Sequence, residues 1–373
     1  MKNTTPQFAS KRNDPISIFR KTVTLILAAI YVLTIATETY AYAQPQTNTF
    51  VTKTIYQSLT EKQQQLYEII YENVISHTET IDLRDYNFTI TDLQTAYFAV
   101  DYENPDIFWT TGVFNYKYRK DSTVVSFTPV YGRTEAECND IYCSLQSKTQ
   151  SVINSVKKIN SKMKRIKYIH DFLINNVTYS NTNTASERDI DGALLHGKAQ
   201  CEGYSKTFAY LCQSIGINCI CVYGTYKTRQ HMWNMIEINN KWYHIDVTFD
   251  DLGMDIPTYD YFCISDKQIA NTHTSIKLFP QPTASVNTSP YKSAGKTLYR
   301  SVDDAYAALI TKIADNYAVN RNKTLIYVQP TIIRKLFSMI DTTIYASLSQ
   351  YNIPKNKINY GFKGSIFYVK FNI

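Results

Sequence analysis

Gly197-Lys198-Ala199-Gln200-Cys201-Glu202-Gly203-Tyr204-Ser205 opens the stretch that decides how this chain is read. His231-Met232-Trp233-Asn234 follows, and then Trp242-Tyr243-His244-Ile245-Asp246-Val247-Thr248-Phe249-Asp250-Asp251. Beyond Cys201, the residues Tyr204, Phe208, Leu211, Cys212 and Ile215 recur at helical spacing, and Gly216 is placed to stop the helix. Cys201 therefore falls at a helix N-terminus. There the helix dipole and the free backbone N–H groups favour a thiolate and can help hold an oxyanion. Glu202 reads as an N-terminal helix carboxylate rather than a base.

Met232 to Ile238 and Lys241 to Thr248 read as paired strands around Asn239-Asn240, residues that tolerate the positive φ of a tight turn. With that turn, Trp233 faces Asp246 and His231 faces Thr248. Alternation puts His231, Trp233 and Met235 on one face with Trp242, His244 and Asp246. His231 and Asp246 become diagonal neighbours at about 7 Å between backbones, within reach of an imidazole–carboxylate hydrogen bond. A slip of one residue would send them to opposite faces. Cys201, His231 and Asp246 are thus the candidate catalytic residues: the thiol attacks, the imidazole moves the proton, and the carboxylate orients the imidazole.

Simpler readings compete. A lone cysteine is more often a packed thiol than a nucleophile. His244 shares the face of Asp246 and is the alternative to His231. His170 and Asp171 are adjacent on a helix, point about 100° apart and do not converge on one substrate atom, so His170 reads as structural. Asp250-Asp251 is not followed by the alternating oxygen ligands of a calcium loop. Cys219 and Cys221 sit two apart on a strand, a poor arrangement for zinc, and no C-x-x-C pair occurs. No metal and no small-molecule cofactor is expected.

The N-terminus has the layout of a secretory signal peptide. Lys11, Arg12, Arg20 and Lys21 precede an uncharged, mostly apolar run from Thr22 to Ala36, and Ala41-Tyr42-Ala43 matches a cleavage site. The expectation is a secreted or cell-surface protein cleaved after Ala43, with an uncleaved membrane anchor as the alternative; the apolar run is short for a span of about 20 residues. That segment holds five Lys/Arg and two Asp/Glu, +3 of the formal +7, which leaves a mature chain of about +4. No basic run with interleaved aromatics appears, so nucleic acid is a poor partner, whereas an anionic cell wall is compatible with the charge. The 31 tyrosines read as compositional bias rather than a sugar-binding surface. All 7 cysteines follow the signal, so an exported chain keeps at least one free thiol; buried thiols packed as small hydrophobes are the simpler reading of the rest.

The 373 residues divide into a signal (1–43), an N-terminal α+β region (44–155), a central core (156–278), a Pro/Ser/Thr/Asn-rich linker (279–296) and a small C-terminal α+β unit (297–373). The first region opens with a helix whose start, Thr60-x-x-Gln63, has the pattern of a capping box. A short helix from Asp92 to Val100 comes next. Strands Phe114–Arg119 and Thr123–Val130 and a long helix from Thr134 to about Val156 complete it. The core begins with an amphipathic helix from Lys162 to Asn176. The C-terminal unit reads as helix Val302–Tyr317, strand Thr324–Val328, helix Thr331–Leu348 and strand Ser365–Phe371, with no cluster of catalytic residue types.

The motifs resemble the transglutaminase-like superfamily, in its secreted bacterial branch. The Cys201 segment looks like that family's nucleophile motif. His231-Met232-Trp233-Asn234 is similar to its H-A-W-N strand, and the stretch from Trp242 to Asp251 to its W-Y-H-V-D-P-T-W-D-D strand. Val177-Thr178-Tyr179 and Asn104-Pro105-Asp106-Ile107-Phe108-Trp109 also resemble parts of the group. The resemblance covers about residues 160–275, is weaker over 55–135 and is absent beyond about 290. It implies a papain-like α+β core, in which a Cys-bearing helix packs on an antiparallel sheet. It also implies Cys201, His231 and Asp246 as the triad and a thioester route from a carboxamide or peptide carbonyl to an amine or to water. The implied partner is a protein or peptide substrate. Met232, Val247 and Phe249 stand where the family has Ala, Pro and Trp; none is a triad position. A cysteine protease or amidase of the same fold, and a non-catalytic cell-surface binding or scaffolding module, are the rival readings.

Overall fold

The computed structural model describes residues 53–371 except 183, 255, 287 and 320. The expected targeting segment and its cleavage site lie outside the described residues. Those described belong to one compact unit spanning Asn48–Ile373.

Helices α1 (Thr54–Ser58) and α2 (Glu61–Ile75) come first among the described residues. Thr60 accepts from the Gln63 N–H while the Gln63 side chain accepts from the Thr60 N–H, the reciprocal cap that the sequence pattern predicts. Strand β1 (Ile81–Asp82) precedes α3 (Ile90–Glu103). Helix α3 outruns the expected span at both ends because Thr89 and Asp92 form a second capping box and its last turn is buried. Strands β2 (Thr110–Tyr118) and β3 (Val124–Tyr131) complete a three-stranded sheet in the order β1-β3-β2, and Thr134 caps α4 (Glu135–Lys157).

Helix α5 (Lys162–Asn176) leads into β4 (Thr178–Tyr179), which pairs in parallel with β5 (Lys198–Ala199) just before α6 (Cys201–Gln213). Tyr204, Phe208, Leu211 and Cys212 are fully buried, the apolar stripe expected of this helix. Gly216 takes φ +73, and the Ile217 N–H bonds the Cys212 carbonyl, so the left-handed residue ends the helix as the sequence predicts. Strands β6 (Cys219–Tyr226), β7 (Arg229–Ile238) and β8 (Lys241–Ile245), the short helix α7 (Val247–Asp250), β9 (Phe262–Ile264), helix α8 (Asp266–Ile269) and β10 (His273–Ser275) follow. The five strands form an antiparallel sheet in the order β10-β6-β7-β8-β9.

Asn239 (φ 53) and Asn240 (φ 59) make the tight turn between β7 and β8. Asn234 pairs with Ile245, Met235 with His244 and Glu237 with Trp242, the register that a two-residue turn dictates. The ladder stops at Ile245, three residues short of the expected strand end, so His231 does not pair with Thr248. Asp246 accepts from the Phe249 N–H and caps α7, which bends the chain out of the sheet.

The segment read as a linker contains helix α9 (Pro290–Ser293). The C-terminal unit comprises β11 (Leu298–Tyr299), α10 (Val302–Ala318), β12 (Lys323–Val328), α11 (Pro330–Ser349), β13 (Ile358–Lys363) and β14 (Ile366–Phe371), with sheet order β11-β12-β14-β13. The edge strand β13 escaped sequence reading because Ile358 is its one buried residue. Helices α10 and α11 bury Ile313, Leu336 and Ile340 with Ile326 and Phe367 of the sheet. Tyr327 and Ile366 instead join the main core, where the Tyr327 ring meets Tyr259 at 5.8 Å and Tyr291 at 5.2 Å. The same core takes in Tyr67, Tyr97 and Phe108 from the N-terminal region and Tyr204, Phe208 and Trp233 from the centre. No helix among the described residues is long and apolar enough to cross a membrane.

Candidate active site

Cys201 is the first residue of α6 and is half-buried. The first bond of the helical ladder runs from the Tyr204 N–H to the Gln200 carbonyl, so the N–H groups of Cys201, Glu202 and Gly203 precede that ladder. Two bonds fix this helix to the sheet: Ser205 Oγ donates to the Met232 carbonyl at 2.9 Å, and Asn234 Nδ2 donates to the Ser205 carbonyl at 2.9 Å. Both anchors on β7, Met232 and Asn234, follow His231 closely in sequence, and they hold the start of α6 against the strand that carries the imidazole.

His231 Nε2 lies 2.6 Å from Asp246 Oδ2. Cys201 lies near enough to the ring to help raise its pKa. Because Asp246 takes Nε2, Nδ1 is the nitrogen left for the thiol. Trp233 stacks along one side of the ring at 6.1 Å, and Phe249 meets it edge-on at 4.8 Å. Burial opposes a charge on His231, but the field of Asp246 and its hydrogen bond, helped by Cys201, raise its pKa to about 10. Burial likewise works against an ionised Asp246, yet His231 and then His273 hold it down to about 2. The pair is therefore an imidazolium–carboxylate at neutral pH.

Cys201, His231 and Asp246 thus meet in space although the predicted pairing beyond Ile245 does not form. The cap geometry replaces it: Asp246 turns into its site by starting α7. His244 is placed elsewhere, accepting at Nδ1 from Trp233 Nε1 at 2.9 Å and facing Asp266 through Nε2 at 2.8 Å. His170 does touch its chain neighbour, contrary to the divergence expected of adjacent helical residues: Nδ1 lies 3.0 Å from Asp171 and Nε2 3.1 Å from Asp250. Asp171 reaches back along the helix rather than outward, and the cluster, with Tyr259 Oη 3.0 Å from Asp171, ties α5 to the segment after α7. Asp251 receives the Tyr204 hydroxyl at 2.7 Å. Tyr179, 46 % exposed, lies at the rim within the electrostatic reach of Cys201 and Asp246.

His273 was not foreseen. Its Nε2 lies 3.0 Å from Asp246 Oδ2, the oxygen that also meets His231. It stands on a three-residue edge strand with no repeat or motif around it, so only the β10–β6 pairing reveals its position. Among the described residues, His231, Asp246 and His273 place their donor atoms within 4.8 Å of one another. A separation of 2.6 Å is that of a shared proton and is too short for two ligands of one zinc ion, each about 2.0 Å from the metal in tetrahedral geometry. All seven cysteines are free thiols, and Cys138, Cys212, Cys219, Cys221 and Cys263 are buried.

A helix-borne thiol facing a strand-borne imidazole, with a carboxylate just past the end of the neighbouring strand, fits a papain-like core. Residues 150–247 match the transglutaminase-like superfamily. Mouse kyphoscoliosis peptidase is 22% identical in an alignment of 142 residues that covers 34% of this chain and 21% of the mouse protein; the chain thus spans about a fifth of that relative's length. Among solved structures, a TGase is similar at 17% identity, covering 56% of this chain and 61% of its own, with a TM-score of 0.28. The periplasmic domain of TgpA from Pseudomonas aeruginosa is similar at 11% identity, covering 37% and 60%, with a TM-score of 0.24.

Proposed function

We propose that this chain is a thiol enzyme of acyl transfer, exported to the cell surface or beyond, in which Cys201 attacks the carbonyl carbon of a carboxamide or peptide. The observation that carries the reading is the position of His231, bonded to Asp246 at 2.6 Å and near enough to Cys201 for the thiol to act on its charge. Sulfur bonds to the carbonyl carbon, the C–N bond breaks, and the leaving amine or ammonia takes its proton from the His231 imidazolium. The thioester is then attacked by an amine or a water whose proton passes to His231, and the C–S bond breaks to return the thiolate. Asp246 keeps Nε2 protonated and Nδ1 turned to the sulfur throughout. The N–H groups at the start of α6 are oriented to receive the oxyanion.

The acceptor decides between a transglutaminase and a protease, amidase or deamidase. The superfamily match and the similarity to a peptidase support a protein or peptide substrate, and the mild positive charge suits an anionic cell wall. The test incubates the chain and its Cys201→Ala variant with a glutamine-containing peptide, with and without a primary amine, and weighs the products. An amine adduct identifies transfer; deamidation or chain cleavage identifies hydrolysis. No product in either case, together with a Cys201 that reacts with iodoacetamide no faster than an ordinary thiol, would refute the enzyme and favour a binding or scaffolding module.

A further inference from the structure

His273 places a second imidazole on the carboxylate that orients His231, and that arrangement is built rather than incidental. Asp246 is buried and accepts three hydrogen bonds: the Phe249 N–H at 3.1 Å on Oδ1, and on Oδ2 His231 Nε2 at 2.6 Å and His273 Nε2 at 3.0 Å. An ionised carboxylate is acceptor-only, so Nε2 of both rings must carry hydrogen. On the far side of His273, Thr272 Oγ1 lies 2.8 Å from Nδ1, nearer than the 3.4 Å to the Ile269 carbonyl it also reaches, and a hydroxyl donating to Nδ1 fits that tautomer. The ring is then held by Trp233 at 5.1 Å, Tyr226 at 5.4 Å, Phe249 at 5.3 Å, Tyr261 at 5.4 Å and His231 itself at 5.3 Å. Packing alone would be served by any aromatic side chain. It does not account for a nitrogen aimed at the oxygen that His231 uses.

We propose that His273 is a positioning residue of the Cys201–His231–Asp246 site: its Nε2–H shares Asp246 Oδ2 with His231, fixes the carboxylate, and limits how much of its charge falls on the catalytic imidazole. The inference rests on the acyl-transfer reading above. Its physical content is a balance. A hydrogen bond to a carboxylate spreads the negative charge and lowers its proton affinity. With His273 donating, Asp246 holds the His231 imidazolium less tightly, and that proton is easier to deliver to a leaving group. Without the second donor, Asp246 is freer to rotate, and the imidazolium it faces becomes a weaker acid. The titratable groups facing the His273 ring are Asp246, His231, Tyr226 and Tyr261. Of these, Asp246 is held down to about 2 and His231 is raised to about 10, so the two limbs of the imidazolium–carboxylate pair lie far apart.

The experiment follows the alkylation rate of Cys201 by iodoacetamide from pH 4 to pH 10 in the full chain, read by peptide mass mapping so that the other six thiols do not enter. Wild type, His273→Phe, which keeps an aromatic ring without a donor, and His273→Gln, whose amide N–H replaces Nε2–H, are compared. The expected result is an upper limb displaced by at least half a pH unit toward alkali in His273→Phe, restored in His273→Gln, and kcat lower at least tenfold with KM little changed in the phenylalanine variant. Coincident limbs in wild type and His273→Phe would overturn the proposal and leave the acyl-transfer reading intact. A wild-type profile with the single limb of an ordinary thiol would overturn that reading itself. Should His273→Phe not fold, histidine nitrogen NMR of the wild type decides: an Nε2 of His273 without a proton at neutral pH contradicts the assignment, and a protonated Nε2 shielded from exchange upholds it.

Discussion

Lys206 and Asp189 meet at 3.1 Å in full burial, on the helix that Cys201 begins and on the segment that precedes it. The same ammonium lies 3.2 Å from Asp101 of α3 and 3.4 Å from Glu202, while Arg133 approaches Asp189 at 3.6 Å and Asp191 at 2.9 Å. Burial works against the charge on Lys206, but the surrounding carboxylates raise its pKa well above the ordinary lysine value. Lys206 therefore joins the N-terminal region, the loop before β5 and the nucleophile helix through one nitrogen. Lys206→Met keeps the length of the side chain but removes the cation shared by Asp101, Asp189 and Glu202, of which Asp189 keeps Arg133 and Glu202 keeps Arg188, and it is expected to destabilise the fold by about 3–5 kcal/mol. Equilibrium unfolding in urea measures this; a loss below about 1 kcal/mol would mean that the network contributes no more than an exposed ion pair.

The two histidines of the β7–β8 hairpin face are expected to separate cleanly. His231→Ala should reduce turnover by about 10³-fold or more, as losses of a triad member do, and should also lower the melting temperature at neutral pH, because buried Asp246 loses its main cationic partner. His244→Gln loses the acceptor for Trp233 and the contact with Asp266, at about 1–3 kcal/mol of stability, but should leave turnover and Cys201 alkylation unchanged. Rate measurements on folded variants distinguish them, and turnover lost in His244→Gln but kept in His231→Ala would exchange their roles.

The His231–Asp246 pair also predicts a pH window for stability. The folded pKa of His231 is raised from 6.5 to about 10, so its contribution is complete below 6.5 and disappears as pH rises through about 10. Asp246 is lowered from 3.8 to about 2, so its contribution is present above 3.8 and disappears as pH falls through about 2. Melting temperature should fall between pH 7 and pH 10 in wild type and fall less steeply in His231→Phe. Parallel curves would contradict the pairing.

Gly203 stands where the first turn of α6 crosses the chain at Glu187; a Cβ there would meet the Glu187 carbonyl oxygen at 2.4 Å. Helix propensity alone favours alanine by about 1 kcal/mol. The close approach reverses the sign, and Gly203→Ala is expected to cost about 1–3 kcal/mol and to slow Cys201 alkylation by shifting the helix start. A stabilised variant with unchanged alkylation would show that the backbone at Glu187 yields freely.

What could be read before the fold was known follows from which interactions are local. Asn239-Asn240 sets the register of β7 and β8 through a two-residue turn, and Gly216 ends α6 through its own φ, so both were legible in short windows. The end of β8 was not. Val247 and Thr248 are β-branched and continue the strand pattern, whereas the Asp246 cap that turns the chain away is a tertiary choice, supported by the two imidazoles on its other oxygen. His273 was invisible for a related reason: it reaches Asp246 only because β10 returns to the far edge of the sheet, beside β6. Lys206 reads as an ordinary polar residue on an amphipathic helix. Its burial depends on carboxylates contributed from Asp101 and Asp189, which no periodicity connects to it.

The two oxygens of Asp246 serve different masters. Oδ1 accepts from a backbone amide that begins α7, and Oδ2 accepts from two rings. An asparagine has the same outline but only one acceptor to offer. If its oxygen stays with Phe249, its NH₂ confronts two N–H groups; if it turns to the rings, the amide of Phe249 faces another donor. Position 246 thus demands a carboxylate on grounds of valence as well as charge, and the bend that terminates β8 and the tautomer of His231 stand or fall together.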